Sequence, residues 1–184
     1  ALLGANGVGK STLLRAIDNN HRRFSQKADW DYGFRFNPSA TIGFFDQDLS
    51  ALDPNMIVEG AMVEHVRGTN RQTIINKLIK SGFPYDQQSI RISDLSGGER
   101  ARLQLLILQE TQHSLLLLDE PTSHLDIMGV EDLEAQLVEG GATCLFTSHD
   151  KRFIENVANR LLLVRNGRIV EISNLSEFYT GLEP

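Results

Sequence analysis

The sequence predicts an α/β fold, a mainly parallel sheet flanked by helices on both sides, with a small helical unit inserted into it. Three observations carry this expectation. The stretch Gly4-Ala5-Asn6-Gly7-Val8-Gly9-Lys10-Ser11-Thr12 leads out of an apolar start and into a helical pattern. The continuous apolar run Leu115-Leu116-Leu117-Leu118 ends in Asp119 and Glu120, as a strand buried on both faces of a parallel sheet does. Further short apolar runs then alternate with helical patterns as far as residue 172, the rhythm of strand–helix–strand units.

Taken in order, Ala1-Leu2-Leu3 reads as the end of a strand entering the glycine-rich loop. No initiator Met precedes it, so a piece of a larger protein is expected, and a missing leader says little about targeting. Leu13, Leu14 and Ile17 give one apolar face to a helix from Lys10 to about Asp18. Trp30, Tyr32, Phe34 and Phe36 stand two apart and predict a half-exposed strand of packing residues. Thr41 to Asp46 reads as a buried strand that delivers Gln47 at its end. Between residues 48 and 94 the pattern turns helical. Pro54 starts one segment, with Ile57, Ala61, Val63 and Val66 at helical spacing, and Ile74, Ile75, Leu78 and Ile79 mark a second, which Gly82 and Pro84 close. The expectation is one domain over 1–184, with 1–47 and 95–184 as its core and 48–94 as a helical subdomain. Past Leu95, helices are expected after Ser96 and near Val130–Val138 and Lys151–Val157. Strands are expected at 142–147, at Leu161–Val164 and, after a turn at Asn166-Gly167, at 168–172.

The bulk properties narrow the partners. The 184 residues suffice for one sizeable core. A net charge of −6, from 24 acidic and 18 basic residues, argues against a broad nucleic-acid surface, and Arg22-Arg23 reads as a solvated pair. The single cysteine, Cys144, allows no internal disulfide and fits a reducing compartment; its apolar neighbours make it a packing residue. No apolar run has the length of a membrane span, so no direct membrane insertion is expected.

The glycine-rich stretch fits G-x-x-x-x-G-K-[ST], a loop that cradles nucleotide phosphates. Its glycines bring backbone N–H groups close to anionic oxygens, and the following helix aims its positive end at them. Lys10 is the candidate for the β- and γ-phosphates and Ser11 for Mg²⁺. Asp119 and Glu120 sit at the C-terminal end of their strand, the edge where open α/β sheets bind ligands. There Asp119 would serve the Mg²⁺ shell while Glu120 orients and polarises an attacking water. His149 ends another strand at the same edge, where its imidazole can hydrogen-bond a γ-phosphate or the water. Gln47 ends a third, and its amide oxygen can serve Mg²⁺ or water.

These motifs together resemble the nucleotide-binding domain of ATP-binding cassette (ABC) proteins over essentially the whole chain. Gly4–Thr12 is similar to the Walker A loop and Gln47 to the Q-loop glutamine. Leu95-Ser96-Gly97-Gly98-Glu99 is similar to the family signature, and Leu115–Glu120 to Walker B with its catalytic glutamate. Ser123-His124-Leu125-Asp126 falls at the D-loop and His149 at the switch histidine. The resemblance implies a phosphate-loop NTPase fold and an ATPase that uses Mg²⁺. It also implies an ATP sandwiched between Walker A of one cassette and Ser96, Gly97, Gly98 and Glu99 of another. Pro121-Thr122-Ser123-His124-Leu125-Asp126, Ser148-His149-Asp150-Lys151-Arg152-Phe153-Ile154 and Ile42-Gly43-Phe44-Phe45-Asp46-Gln47 resemble the ABC-F patterns P-T-N-H-L-D, S-H-D-R-x-F-L and I-G-Y-x-x-Q, with Ser123 in place of the usual Asn. That subfamily implies a cytoplasmic, two-cassette protein acting on the ribosome in translation or antibiotic resistance. The short segment between Gln47 and Leu95 suits the second, C-terminal cassette. On this reading the aromatic that stacks on adenine lies upstream of the chain, and the isolated chain hydrolyses ATP weakly or not at all. The alternatives are the ATPase subunit of a membrane transporter and a degenerate cassette that binds ATP structurally. His124 opposes the first and the complete set Lys10, Asp119, Glu120 and His149 opposes the second.

Overall fold

The layers are built around β3 (Leu115–Asp119), whose leucines point alternately to opposite faces of the sheet. Leu117 joins one apolar cluster and Leu118 another. The computed structural model describes residues 1–25 and 34–180. β2 (Ile42–Phe45) and β4 (Thr143–Thr147) flank β3 as parallel neighbours, with Phe45 opposite Leu118 and Asp119 opposite Thr147. β1 (Leu2–Leu3) pairs in parallel with β5 (Leu161–Arg165), which pairs antiparallel with β6 (Arg168–Ile172). The result is two three-stranded sheets, β2-β3-β4 and β1-β5-β6, which abut where β1 lies against β4. The parallel sheet therefore acquires one antiparallel edge. Asn166 and Gly167, both at positive φ, make the two-residue turn that reverses the chain between β5 and β6.

One face is covered by α1 (Lys10–Ser25), which lays Leu13, Leu14 and Ile17 against Ile42, Phe44, Leu117 and Leu145. The other is covered by α4 (Gly97–Glu110), α5 (Ile127–Glu139), α6 (Lys151–Val157) and α7 (Leu175–Thr180). From these helices Ala101, Leu105, Leu133, Phe153 and Leu175 pack on Phe45, Leu118 and Phe146. A separate cluster fills the segment of α2 (Val58–His65) and α3 (Arg71–Lys80), where Val58, Met62, Ile74, Leu78 and Phe83 meet Leu103, Leu106 and Ile107 of α4. α4 is thus apolar on two sides and belongs to both cores. The ends of the helices follow their caps. Asn70 accepts from the N–H of Thr73, Asp126 from that of Gly129 and Asp150 from that of Phe153.

Three expectations shift. α1 continues past Asp18 to Ser25, because no Gly or Pro interrupts it and Arg22 pairs one turn back with Asp18. The first helix of the inserted segment starts at Val58, since Pro54 and its neighbours form a turn. Phe34 and Phe36 are not in a strand; they stack on each other with ring centres 6.2 Å apart, and Phe36 meets His21 edge-on. Trp30 and Tyr32 lie outside the described residues. Cys144 packs against the larger sheet cluster, and burial pushes its thiol up to about 12, which suits a packing role. Among the described residues no helix is long and apolar enough to cross a membrane.

Candidate functional site

The strands deliver polar residues to one edge because β2, β3 and β4 are parallel and in register. Gln47, Asp119–Glu120 and Ser148–His149 therefore follow their C-terminal ends side by side. The loop after β1 closes the same edge. Asn6, Gly7, Gly9, Lys10, Ser11, Thr12, Gln47, Glu120 and His149 line a cleft of about 520 Å³ together with Thr122, Ser123 and Asp150. Gly7 and Gly9 have φ of 77° and 102°, conformations open to glycine and strained for any other residue. Lys10 folds back over the loop, its Nζ donating to the carbonyls of Gly4 (2.8 Å) and Ala5 (3.2 Å). The N–H of Val8 bonds to the Ala5 carbonyl across the same turn.

Asp119 lies beneath the cleft and is fully buried. Its Oδ1 accepts from Ser11 Oγ and from Thr147 Oγ1, both at 2.9 Å. Its Oδ2 is buried with no protein partner. A buried carboxylate oxygen without a donor is costly, and a cation beside Ser11 would satisfy it. Ser11 and Asp119, which are bonded to each other, and Gln47 of the same edge could supply hydroxyl, carboxylate and amide oxygens, the hard donors that suit Mg²⁺. Among the described residues no three His, Cys, Asp or Glu side chains converge into a metal cage, so Mg²⁺ here would depend on phosphate oxygens for the rest of its shell.

Glu120 enters the cleft from a backbone at φ 49°, unusual for a residue with a long side chain. Its N–H donates to Thr147 Oγ1 at 3.0 Å, and its Oε2 accepts from the N–H of His149 at 3.1 Å. His149 Nε2 stands 3.4 Å from Glu120 Oε1. Burial pushes the Glu120 carboxyl above the usual carboxylate range, against the opposing pull of His149. Such a group binds a proton more readily than a surface carboxylate, as a general base requires.

Ser96, Gly97, Gly98 and Glu99 do not line this cleft. They form the start of α4, where Ser96 and Glu99 make a reciprocal capping box: Glu99 N–H donates to Ser96 Oγ and Ser96 N–H to Glu99 Oε2. Gly98 lies so close to the loop after β3 that an added Cβ would meet the His124 carbonyl oxygen at 2.9 Å. On the other side His124 Nε2 bonds the Gln47 carbonyl at 3.2 Å, so the loop after β3 touches both the start of α4 and the loop after β2.

The residue that sequence reasoning missed is Thr147. It is the last residue of β4, buried, and paired in register with Asp119. The pairing of two adjacent parallel strands was the available signal, since it sets the residue before Ser148-His149 beside the acidic pair. Thr147→Val keeps the shape but removes a donor to Asp119 and strands the Glu120 N–H. We expect a loss of stability of about 1–3 kcal/mol, read as a lower denaturant midpoint; an unchanged midpoint refutes the role.

The family model described as ABC transporter matches residues 1–123. ABC transporter F family member 5 of Arabidopsis thaliana is 33% identical over 97% of this chain and 25% of its own length. Ribosome protection protein VmlR of Bacillus subtilis is 32% identical over 92% of this chain and 29% of its own length. The chain thus spans less than a third of either relative. Among solved structures, a dimeric ATP-binding cassette in a post-hydrolysis state bound to ADP and Pi superposes with a TM-score of 0.66 at 19% identity. That match covers 94% of this chain and 84% of the other, and it carries the fold.

Proposed function

Because the chain belongs to the ABC transporter family and is an ABC-F-like nucleotide-binding domain, we propose that it binds and hydrolyses ATP in a soluble, cytoplasmic protein that acts on the ribosome. Residues 1–47 and 95–184 serve as the core of one cassette, and 48–94 as its helical subdomain. The observation that carries the ATPase reading is the convergence at one cleft: Ser11 at the head of α1 bonds Asp119, whose second oxygen is unpartnered, while Glu120 stands next in the chain within reach of His149.

The backbone N–H groups of Gly4 to Thr12 and the head of α1 bind the phosphates. Lys10 leaves the Gly4 and Ala5 carbonyls to meet the β- and γ-phosphate oxygens. Ser11, Asp119 and Gln47 hold Mg²⁺, which when bound neutralises charge on the transferring phosphoryl group. Glu120 orients the attacking water and takes its proton, and His149 holds the Glu120 carboxylate from the other side. Ser96, Gly97, Gly98 and Glu99 serve a nucleotide on a second cassette with the exposed head of α4, which explains why they lie outside this chain's own cleft. ATP then acts as a switch that closes two cassettes, and hydrolysis releases them.

The ribosomal part rests on the likeness to a ribosome protection protein and on His124 in the loop after β3. Sedimentation of the full-length protein carrying Glu120→Gln, with the matching change in any other cassette, tests it. We expect pelleting with ribosomes that depends on ATP. Retention on membranes without ATP, and none on ribosomes, would instead make it the ATPase subunit of a transporter.

A further inference from the structure

We propose that Arg15 is a positioning residue that sets Gln47 against the head of α1 and thereby fixes the spacing of two Mg²⁺ donors. Arg15 follows Ser11 by four residues on α1, one turn further on the same face. A single guanidinium nitrogen of Arg15 donates to Asp46 Oδ1 at 2.9 Å and to Asp48 Oδ2 at 2.7 Å. Those are the two residues on either side of Gln47.

The loop after β2 is itself wound around Asp46. Ser50 Oγ donates to Asp46 Oδ2 at 2.7 Å, and the Leu49 N–H donates to the Asp46 carbonyl at 2.9 Å. Leu49 is buried and adopts φ 53°, a conformation a leucine holds only when its surroundings impose it. The Asp46 carboxyl group is nearly out of water, and the Arg15 guanidinium pairs with it. An ordinary surface ion pair contributes little, but this one joins two segments that each supply an oxygen donor to the same cleft. Without Arg15 the buried charge of Asp46 would lose its cation, and the turn carrying Gln47 would no longer be tied to the helix carrying Ser11. Residues that orient metal ligands in this way typically affect metal affinity about 10–100-fold when removed.

The inference rests on the reading of the cleft as a Mg²⁺–ATP site, and the test separates the two. In the full-length protein, with the phosphate-loop lysine of any other cassette replaced, the affinity for a non-hydrolysable ATP analogue is measured by calorimetry across a range of free Mg²⁺. Arg15→Ala is expected to raise the half-saturating Mg²⁺ about tenfold while leaving metal-free analogue affinity unchanged. Arg15→Lys is expected to restore most of the loss, because an ammonium can also bridge two carboxylates. Ser11→Ala is the reference. If Ser11→Ala raises the Mg²⁺ requirement and Arg15→Ala does not, the positioning role is overturned and the cleft reading stands. If Arg15→Ala also weakens metal-free binding, Arg15 supports the phosphate loop at large, and the proposal is again overturned. If Ser11→Ala itself changes nothing, the Mg²⁺ reading of the cleft fails first.

Discussion

Replacing Glu120 by glutamine is expected to leave ATP binding intact and to lower turnover by about two orders of magnitude or more, the contribution of a positioned general base. The structure makes this a clean substitution. The glutamine oxygen can still accept from the His149 N–H, the Glu120 N–H still reaches Thr147, and the volume is unchanged. What disappears is a carboxylate whose proton affinity burial has raised. The measurement is steady-state phosphate release by the full-length protein carrying the same change in any other cassette, beside calorimetry of ATP binding. A near-normal turnover number would remove Glu120 from the role of base. A parallel loss of ATP affinity would mean that the substitution disturbs the loop between β3 and α5 and not the chemistry alone.

Lys10→Ala is expected to act on the other side of that divide, weakening nucleotide binding itself. Lys10 contributes a positive charge, and among the described residues no other lysine or arginine lines the cleft. It also ties the loop to itself through the Gly4 and Ala5 carbonyls. A charge-assisted hydrogen bond is worth about 1.5–3 kcal/mol, so ATP affinity should fall roughly tenfold to a hundredfold. Calorimetry on the full-length protein, with other cassettes silenced, reads this directly. An unaltered affinity would contradict the assignment of the phosphates to this loop.

Much of this architecture was legible because its signals are local. The period of Leu13, Leu14 and Ile17, the apolar run of β3 and the Asn166-Gly167 turn each announce an element within a few residues. The candidate residues Lys10, Ser11, Asp119, Glu120 and His149 were legible for the same reason, each tied to a loop or a strand end. What escaped depends on neighbours far apart in sequence. Thr147 matters only because β4 lies beside β3 in a register that sets it against Asp119. The positive φ of Glu120 and of Leu49 follows from loop packing and has no residue-type signal. The aromatic spacing at Phe34 and Phe36 misled because alternation alone does not make a strand; among the described residues no partner strand pairs with them to complete a ladder. Ser96 and Glu99 carried only a motif reading in the sequence, and the structure adds that the same two residues cap α4.

The pairing of β1 with β5 has a consequence for how the protein is made. Leu2 pairs in register with Leu162, whose N–H donates to the Ala1 carbonyl, so the strand that launches the phosphate loop waits for a partner far along the sequence. On the ribosome, the helices between Val58 and Glu110 can gather their own apolar cluster early, from contacts that are close in sequence. The strand leading into the Gly4–Thr12 loop has no partner strand so close in sequence. Within this domain it is anchored late, once β5 has been made and pairs with β1. The setting of the phosphate loop therefore follows the folding of the rest of this domain and does not precede it.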